Sequence, residues 1–335
     1  MHIFTESEIK QFVTLNEQVL PVVEDAFTQL ATKEVIMPPI MRVDVKENNG
    51  EVDVKTAYIP GKDLFALKVS SGFFNNDQLG LPSANGLMML ISAVTGEPKA
   101  LLLDNGYLTE IRTAAAGAIA AKYLAKERVK TVGVIGTGAQ ARYQMKALQL
   151  VRDFERIIVF GRSRENARKF KDEMEDILQV DIQLAETAEA VVRNSEIVVT
   201  TTPAKQPIIQ VDWLHPGLHI TAMGSDAEEK QELAANIPKI ADRYVCDTKA
   251  QCARLGELRH AIAQGYLSSN APVIELGEVT AGKMAGRLHD KEITVCDLTG
   301  TGAQDTAIAL YAYQFLIENG EIGLEIYNKK SHHFT

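Results

Sequence analysis

The stretch Gly136-Thr137-Gly138-Ala139-Gln140-Ala141 fits G-x-G-x-x-G/A with alanine in the third place, a spacing suited to holding a pyrophosphate. Gly136 allows a tight turn, Gly138 leaves room for backbone to approach the phosphates, and Ala141 lets a helix pack closely on a strand. The amino end of that helix then faces the anion. An acidic residue that grips an adenosine ribose would stand at the end of the next apolar run, where the chain reads Phe160-Gly161-Arg162-Ser163-Arg164. No carboxylate is present there. Arg162 and Ser163 can hold a 2′-phosphate instead, which favours NADP over NAD. The alternative is a solvated Arg162, with NAD held by other groups.

Other residues could act beside such a carrier. Thr200-Thr201-Thr202-Pro203 places hydroxyls and a chain break after an apolar run, and His219-Ile220-Thr221-Ala222-Met223-Gly224-Ser225-Asp226 delivers a carboxylate after another. Asp226 is the best-placed single carboxylate for proton transfer or for holding a substrate amine. Its other reading is the cap of a helix over Glu228 to Ala235. Arg42, Lys68 and Arg112 lie on otherwise apolar or small-residue stretches, where cations bind anions such as a carboxylate. For each one, a salt bridge to an internal acid such as Glu110 is the competing reading.

Metal chemistry has little support. His215 and His219 are four apart, but Pro216 and Gly217 exclude the helix that would aim both at one ion, and His332-His333 lies near the chain end. There is no Gly-x-Ser-x-Gly elbow and no cysteine–histidine nucleophile motif. Cys246, Cys252 and Cys296 are odd in number without C-x-x-C spacing, so they read as buried or inert thiols. The hard chemistry falls to the cofactor.

The elements that must position these residues follow from the apolar periodicity. Thr131 to Ile135, the amphipathic Ala141 to Val151 and Arg156 to Phe160 make a βαβ unit. Further strands are expected near Ile182 to Leu184, Ile197 to Thr201, His219 to Met223, Tyr244 to Asp247 and Ile293 to Cys296. This is the alternation of a doubly wound α/β sheet of the Rossmann type. Before it, Glu6 to Leu30 reads as helix, broken at Thr14-Leu15-Asn16. Short alternating strands follow at Met41 to Val45, Val52 to Ile59, Leu64 to Ser70, Gly86 to Ser92 and Pro98 to Asp104, then an alanine-rich helix from Thr109 to Leu124. Helix returns over Asp305 to Glu318, and EIGLEIYNKKSHHFT reads as a tail. The fold class is therefore α/β, with a Rossmann NAD(P)-binding domain over 116–305 and a smaller, discontinuous α+β domain over 1–115 with 306–335.

Gly136-Thr137-Gly138-Ala139-Gln140 recurs letter for letter at Gly300-Thr301-Gly302-Ala303-Gln304. In the second copy Asp305 stands where the fingerprint wants Gly or Ala, and a carboxylate there would oppose a pyrophosphate. It reads as a helix start near the nicotinamide end or the substrate.

The length of 335 residues suggests two domains, and 46% hydrophobic with 24% charged residues is an ordinary globular composition. A net charge of −9 without a basic cluster argues against a nucleic-acid partner. No apolar run is long enough for a membrane span, and MHIFTESEIK lacks the order of a signal peptide, so a cytoplasmic protein is expected.

With these residues in place, the sequence resembles the ornithine cyclodeaminase/mu-crystallin family over nearly its whole length. The resemblance is carried by Lys68, TGEPKALLLDNGYLTEIRTAAAGAIAAKYLA, VGVIGTGAQARYQ, VTTTPAKQPII, MGSDAEEKQEL, VCDTKAQCARLGEL and DLTGTGAQDTAIA. It implies a homodimer that pairs the sheets of its smaller, substrate-binding and dimerisation domains, and an active site in the interdomain cleft. Arg42, Lys68 and Arg112 match the family's carboxylate-binding positions, and Asp226 matches its catalytic acid or base. Asp226 and Lys68 are thus the candidate catalytic residues. The candidate cofactor contacts are Thr113, Gly136, Thr137, Gly138, Ala139, Gln140, Arg162, Ser163, Thr201, Thr202, Met223 and Gly224. Members move a hydride between nicotinamide and the α-carbon of a small amino or imino acid. Cyclodeaminases return it within one turnover and release ammonia, whereas imine reductases and amino-acid dehydrogenases exchange the cofactor. Arg162-Ser163 favours the exchanging type, and DLTGTGAQDTAIA looks like the branch associated with ectoine utilisation rather than ornithine. The alternatives are a cyclodeaminase with tightly bound NAD and a non-catalytic binding protein for cofactor or a small ligand.

Overall fold

The computed structural model describes residues 1–319 and 323–326. In chain order its first strands and helices are β1 (His2–Thr5), α1 (Glu6–Phe12), α2 (Val19–Thr32), β2 (Met41–Val45), β3 (Gly50–Ala57), β4 (Leu64–Phe73), β5 (Ala84–Ser92) and β6 (Pro98–Leu103). Next come α3 (Tyr107–Leu124), β7 (Thr131–Ile135), α4 (Ala139–Gln149), β8 (Arg156–Phe160), α5 (Arg164–Leu178), β9 (Asp181–Leu184), α6 (Ala188–Arg193) and β10 (Ile197–Thr200). The chain continues with β11 (His219–Ala222), α7 (Ile237–Ile240), β12 (Arg243–Cys246), α8 (Lys249–Cys252), α9 (Glu257–Ala263), β13 (Ile274–Glu275) and α10 (Leu276–Thr280). It closes with β14 (Thr294–Asp297), α11 (Gly302–Glu318) and β15 (Leu324–Glu325).

Two compact units emerge. Unit 1 comprises Met1–Thr14, Lys33–Thr109 and Thr301–Thr335, and unit 2 comprises Leu15–Thr32 and Glu110–Gly300.

Unit 1 is a seven-stranded sheet in the order β15-β1-β6-β5-β4-β3-β2. Its strands β2 to β6 run as an antiparallel meander, because short loops can only reverse the chain. The first turn holds Asn49 at φ 47, a left-handed conformation that asparagine tolerates. Cross-strand neighbours point to one face, so Ala66, Met88, Leu90, Ala100 and Leu102 together form an apolar side, and α11 packs against β3 and β4. The helix approaches closely because Gly302 has no side chain; a Cβ there would overlap the backbone carbonyl of Thr56. Thr306 fastens the contact by donating to the Ala57 carbonyl at 2.8 Å and accepting from the Ala66 N–H at 3.1 Å.

Unit 2 is an eight-stranded parallel sheet in the order β13-β12-β14-β11-β10-β7-β8-β9. The chain winds outward from β7 through β8 to β9, then returns to β10 on the other side of β7, which is the doubly wound pattern of a Rossmann sheet. β7, β10, β11 and β14 are buried almost throughout, as parallel strands covered on both faces must be. One apolar core gathers Val132, Val134, Ile157, Val159 and Phe170, and a second gathers Ile135, Val198, Ile220 and Val295. α2 packs on α10, where a Cβ on Gly277 would strike the Phe27 carbonyl.

α1 and α2 lie on either side of the expected break at Thr14-Leu15-Asn16. Other expectations need revising: His2–Thr5 is a strand that four residues were too few to reveal by alternation. α11 begins at Gly302 rather than Asp305. Within the expected tail, Leu324–Glu325 pairs with β1, while 320–322 and 327–335, including His332-His333, lie outside the described residues. Among the described residues no helix is long and apolar enough to cross a membrane.

Candidate active site

The carboxyl ends of β7, β8 and β10 surround a cavity of about 680 Å³. Gly136, Thr137, Gly138, Arg162, Ser163, Thr201 and Thr202 all line it. Gly136 adopts φ 119, and a Cβ on it would overlap Thr201, so the turn and the neighbouring loop both require glycine. A Cβ on Gly138 would project into open space, the room a backbone-hugging pyrophosphate needs. Gly138 also caps α4 without a side chain, which leaves the first amides of that helix for an anion. The Thr201 hydroxyl is buried and has no partner among the described residues. Glycine cradle, helix amino end and orphan hydroxyl together fit a dinucleotide. Arg162 and Ser163 are exposed at the lip; the Ser163 oxygen accepts from the Asn166 N–H at 3.2 Å, capping α5, and keeps its O–H to donate.

The five remaining cofactor candidates, Thr113, Ala139, Gln140, Met223 and Gly224, lie outside the lining of this cavity. Gln140 donates to the carboxylate and carbonyl of Glu110, and Gln144 donates to the Thr113 carbonyl at 3.0 Å, so these side chains lock α4 to α3. Burial pushes the Glu110 carboxyl up, and the Gln140 bond opposes this. Ala139 is the first residue of α4. Met223 and Gly224 follow β11, and a Cβ on Gly224 would overlap the Thr202 carbonyl.

Asp226 sits on a loop and not at a helix start, since 228–235 form no helix. Its Oδ1 accepts from Lys230 Nζ at 2.7 Å, with the aspartate side chain 44% exposed. The Ser225 hydroxyl donates to the Lys230 carbonyl at 2.8 Å and closes the same loop. Arg112 is buried beside Gly300, whose φ of 80 and missing Cβ admit the guanidinium. Asp247 holds this turn by accepting from the N–H groups of Thr299 and Gly300, each at 2.7 Å.

In unit 1, Lys68 is 2% exposed and pairs with the fully buried Asp305 at 3.0 Å. The internal acid that pairs with Lys68 is Asp305, supplied beside the second glycine copy from the first turn of α11. Thr301 caps that helix through Gln304. Lys55 stands directly opposite Lys68 on β3 and is also buried. Arg42 on β2 stands opposite Asp53 and faces three carboxylates: Glu51, Asp44 at 3.3 Å and Asp53 at 3.7 Å. Its charge is largely answered within its own hairpin.

The sequence pattern of the ornithine cyclodeaminase/mu-crystallin family matches residues 1–320. The chain belongs to this family. Among its family relatives is the uncharacterized cyclodeaminase y4tK of Sinorhizobium fredii, 49% identical over 315 residues, or 94% of this chain and 95% of that one. Among solved structures it is similar to the Δ1-pyrroline-2-carboxylate reductase of Thermococcus litoralis in complex with NADH and L-proline. That likeness has a TM-score of 0.91 and 30% identity, covering 97% of this chain and 100% of the other. An archaeal alanine dehydrogenase dimer with bound NAD gives a TM-score of 0.89 at 33% identity, covering 98% and 99%.

Within this member of the family, reading the sequence missed Glu232, Arg142, Lys55 and Lys205. Arg142 donates to the Thr137 and Gly138 carbonyls at 2.6 and 3.2 Å and braces the glycine turn, and Lys205 lines the cavity. The signal for Lys55 was present: a lysine alternating with Val52 and Val54 on a strand whose neighbour holds Lys68.

Proposed function

We propose that this chain is an NAD(P)-dependent oxidoreductase acting at the α-carbon of a small amino or imino acid, as an imine reductase or amino-acid dehydrogenase. The observation that carries the reading is the glycine cradle of unit 2 with Asp226 following a neighbouring strand of the same sheet. The names of the relatives support it, since they include a reductase and a dehydrogenase with nicotinamide cofactors bound. The bound nicotinamide supplies a hydride to the carbon of a C=N bond, or accepts one in the reverse direction. The chain's own residues do the rest. Gly136, Thr137, Gly138 and the first turn of α4 hold the pyrophosphate, and the Thr201 hydroxyl donates to it. Asp226, half exposed and steadied by Lys230, holds the proton that the nitrogen takes or gives. On unit 1, Lys68 is the cation proposed for the substrate carboxylate; on unit 2, it is Arg112. Arg42 is already matched by acids and carries less of the proposal. NADP is the favoured cofactor on the strength of Arg162, and a homodimer is the favoured assembly on the strength of the dimeric relative.

A second reading, a cyclodeaminase with retained NAD, is favoured by the name of the y4tK relative. One experiment separates the two. The protein is incubated with NADH or NADPH and either Δ1-pyrroline-2-carboxylate or a 2-keto acid plus ammonium, and separately with ornithine. Net oxidation of the reduced cofactor supports the reductase. Ammonia and proline from ornithine without net redox change would overturn it. Asp226→Asn should lower kcat by about 100-fold or more while cofactor affinity holds, and full activity in that variant would remove its assigned role.

A further inference from the structure

Glu232 lies outside the cavity lining and is fully buried, yet four donors converge on its carboxylate. Oε2 accepts from the Thr200 hydroxyl at 2.6 Å and the Gly224 N–H at 2.7 Å. Oε1 accepts from the Thr202 N–H at 2.6 Å and the Thr202 hydroxyl at 2.8 Å. Thr202 belongs to the loop after β10 that lines the dinucleotide cavity. Gly224 belongs to the loop after β11 that carries Asp226. One carboxylate thus spans the two loops, and the absence of a Cβ on Gly224 is what lets them meet.

Glu232 is itself held in place. Glu257 accepts from the N–H groups of Glu232 and Leu233 at 2.8 and 3.2 Å, and the Glu232 carbonyl accepts from the N–H groups of Ile208 and Ile209. Burial pushes the Glu232 carboxyl up, and the four donors, which fill its acceptor positions, pull it back toward the charged form.

We infer that Glu232 is a positioning residue that sets the cofactor loop and the Asp226 loop at one mutual geometry. Cofactor affinity and turnover therefore respond together when it is changed. The inference rests on the proposed dinucleotide site. An amide cannot replace the carboxylate, because each oxygen takes a backbone N–H that cannot reverse. Whichever way glutamine is turned, its NH2 faces either the Gly224 or the Thr202 N–H.

The test is Glu232→Gln in the full chain, which preserves side-chain volume. It reads NADPH and NADH dissociation constants by fluorescence titration, kcat at saturating cofactor, and the thermal midpoint. The expected result is a rise in cofactor Kd and a fall in kcat, each about tenfold or more, in protein still folded at the assay temperature. A folded Glu232→Gln with wild-type Kd and kcat overturns the inference, as does a change confined to the thermal midpoint. Thr200→Val removes one donor and spares both backbone ones. It should lie between wild type and Glu232→Gln in both readings, and it decides the matter if the glutamine variant fails to fold: Kd and kcat moving together supports the inference, and neither moving overturns it. A wild-type chain that binds neither cofactor fails at the site itself, a result distinct from a variant that binds as wild type does.

Discussion

At the end of β6 the side chain of Asp104 is 1% exposed, with the Leu108 N–H donating to its Oδ2 at 2.8 Å. Burial pushes its carboxyl from the ordinary 3.8 up to about 6, against the pull of that N–H and of the Lys68 charge. Below the lower value the group is protonated in both folded and unfolded chains. As pH rises through about 6, the folded state must hold a buried anion, so stability present at low pH is lost, by on the order of 3 kcal/mol. Asp104→Asn should remove that loss, measured by urea denaturation at about pH 4 and about pH 7; an unchanged slope would contradict it. Arg162 supports a second expectation. Arg162→Ala should weaken NADPH by about tenfold and NADH much less, because a guanidinium answers a 2′-phosphate that NADH lacks; equal losses would remove the case for NADP. Arg162 could be read because its position is counted from a local motif. The partner of Lys68 could not be read, because Asp305 lies 237 positions away and the local candidate was Glu110.

The strands of unit 2 were legible as apolar runs of four or five residues, since a parallel strand buried on both faces leaves that mark. The helix that the competing reading of Asp226 placed over Glu228 to Ala235 does not form, for the opposite reason. AEEKQELAA is rich in helix formers, but the Gly224 N–H is committed to Glu232, and the Glu232 carbonyl to Ile208 and Ile209. Tertiary hydrogen bonds outweighed propensity there. The repeated glycine segment also divides by element: the first copy opens a cavity, whereas Gly302 admits α11 onto β3. Gly302→Ala should therefore cost about 1–3 kcal/mol by forcing the helix off the Thr56 carbonyl, read as a lower denaturation midpoint. Dinucleotide affinity should stay near the wild-type value, and an unaltered midpoint would refute the packing role.

At the scale of the molecule, length alone pointed to more than one core. The placement of α2 in unit 2 had no local sign, because it rests on contacts such as Thr28 with Thr280, 252 positions away. Light scattering should give about twice the 36.8 kDa chain mass if the assembly follows the dimeric relative, and a monomer would overturn that proposal. The discontinuity of unit 1 bears on synthesis. Its first strand ends flanked by β6 and β15, and Lys68 waits for Asp305. During translation a nascent chain that has already exposed every strand of the parallel sheet still lacks α11. Until α11 clears the ribosome, the face bearing Met88 and Leu90 lacks that helix and Lys68 lacks Asp305. The segment that carries α11 thus times the completion of unit 1.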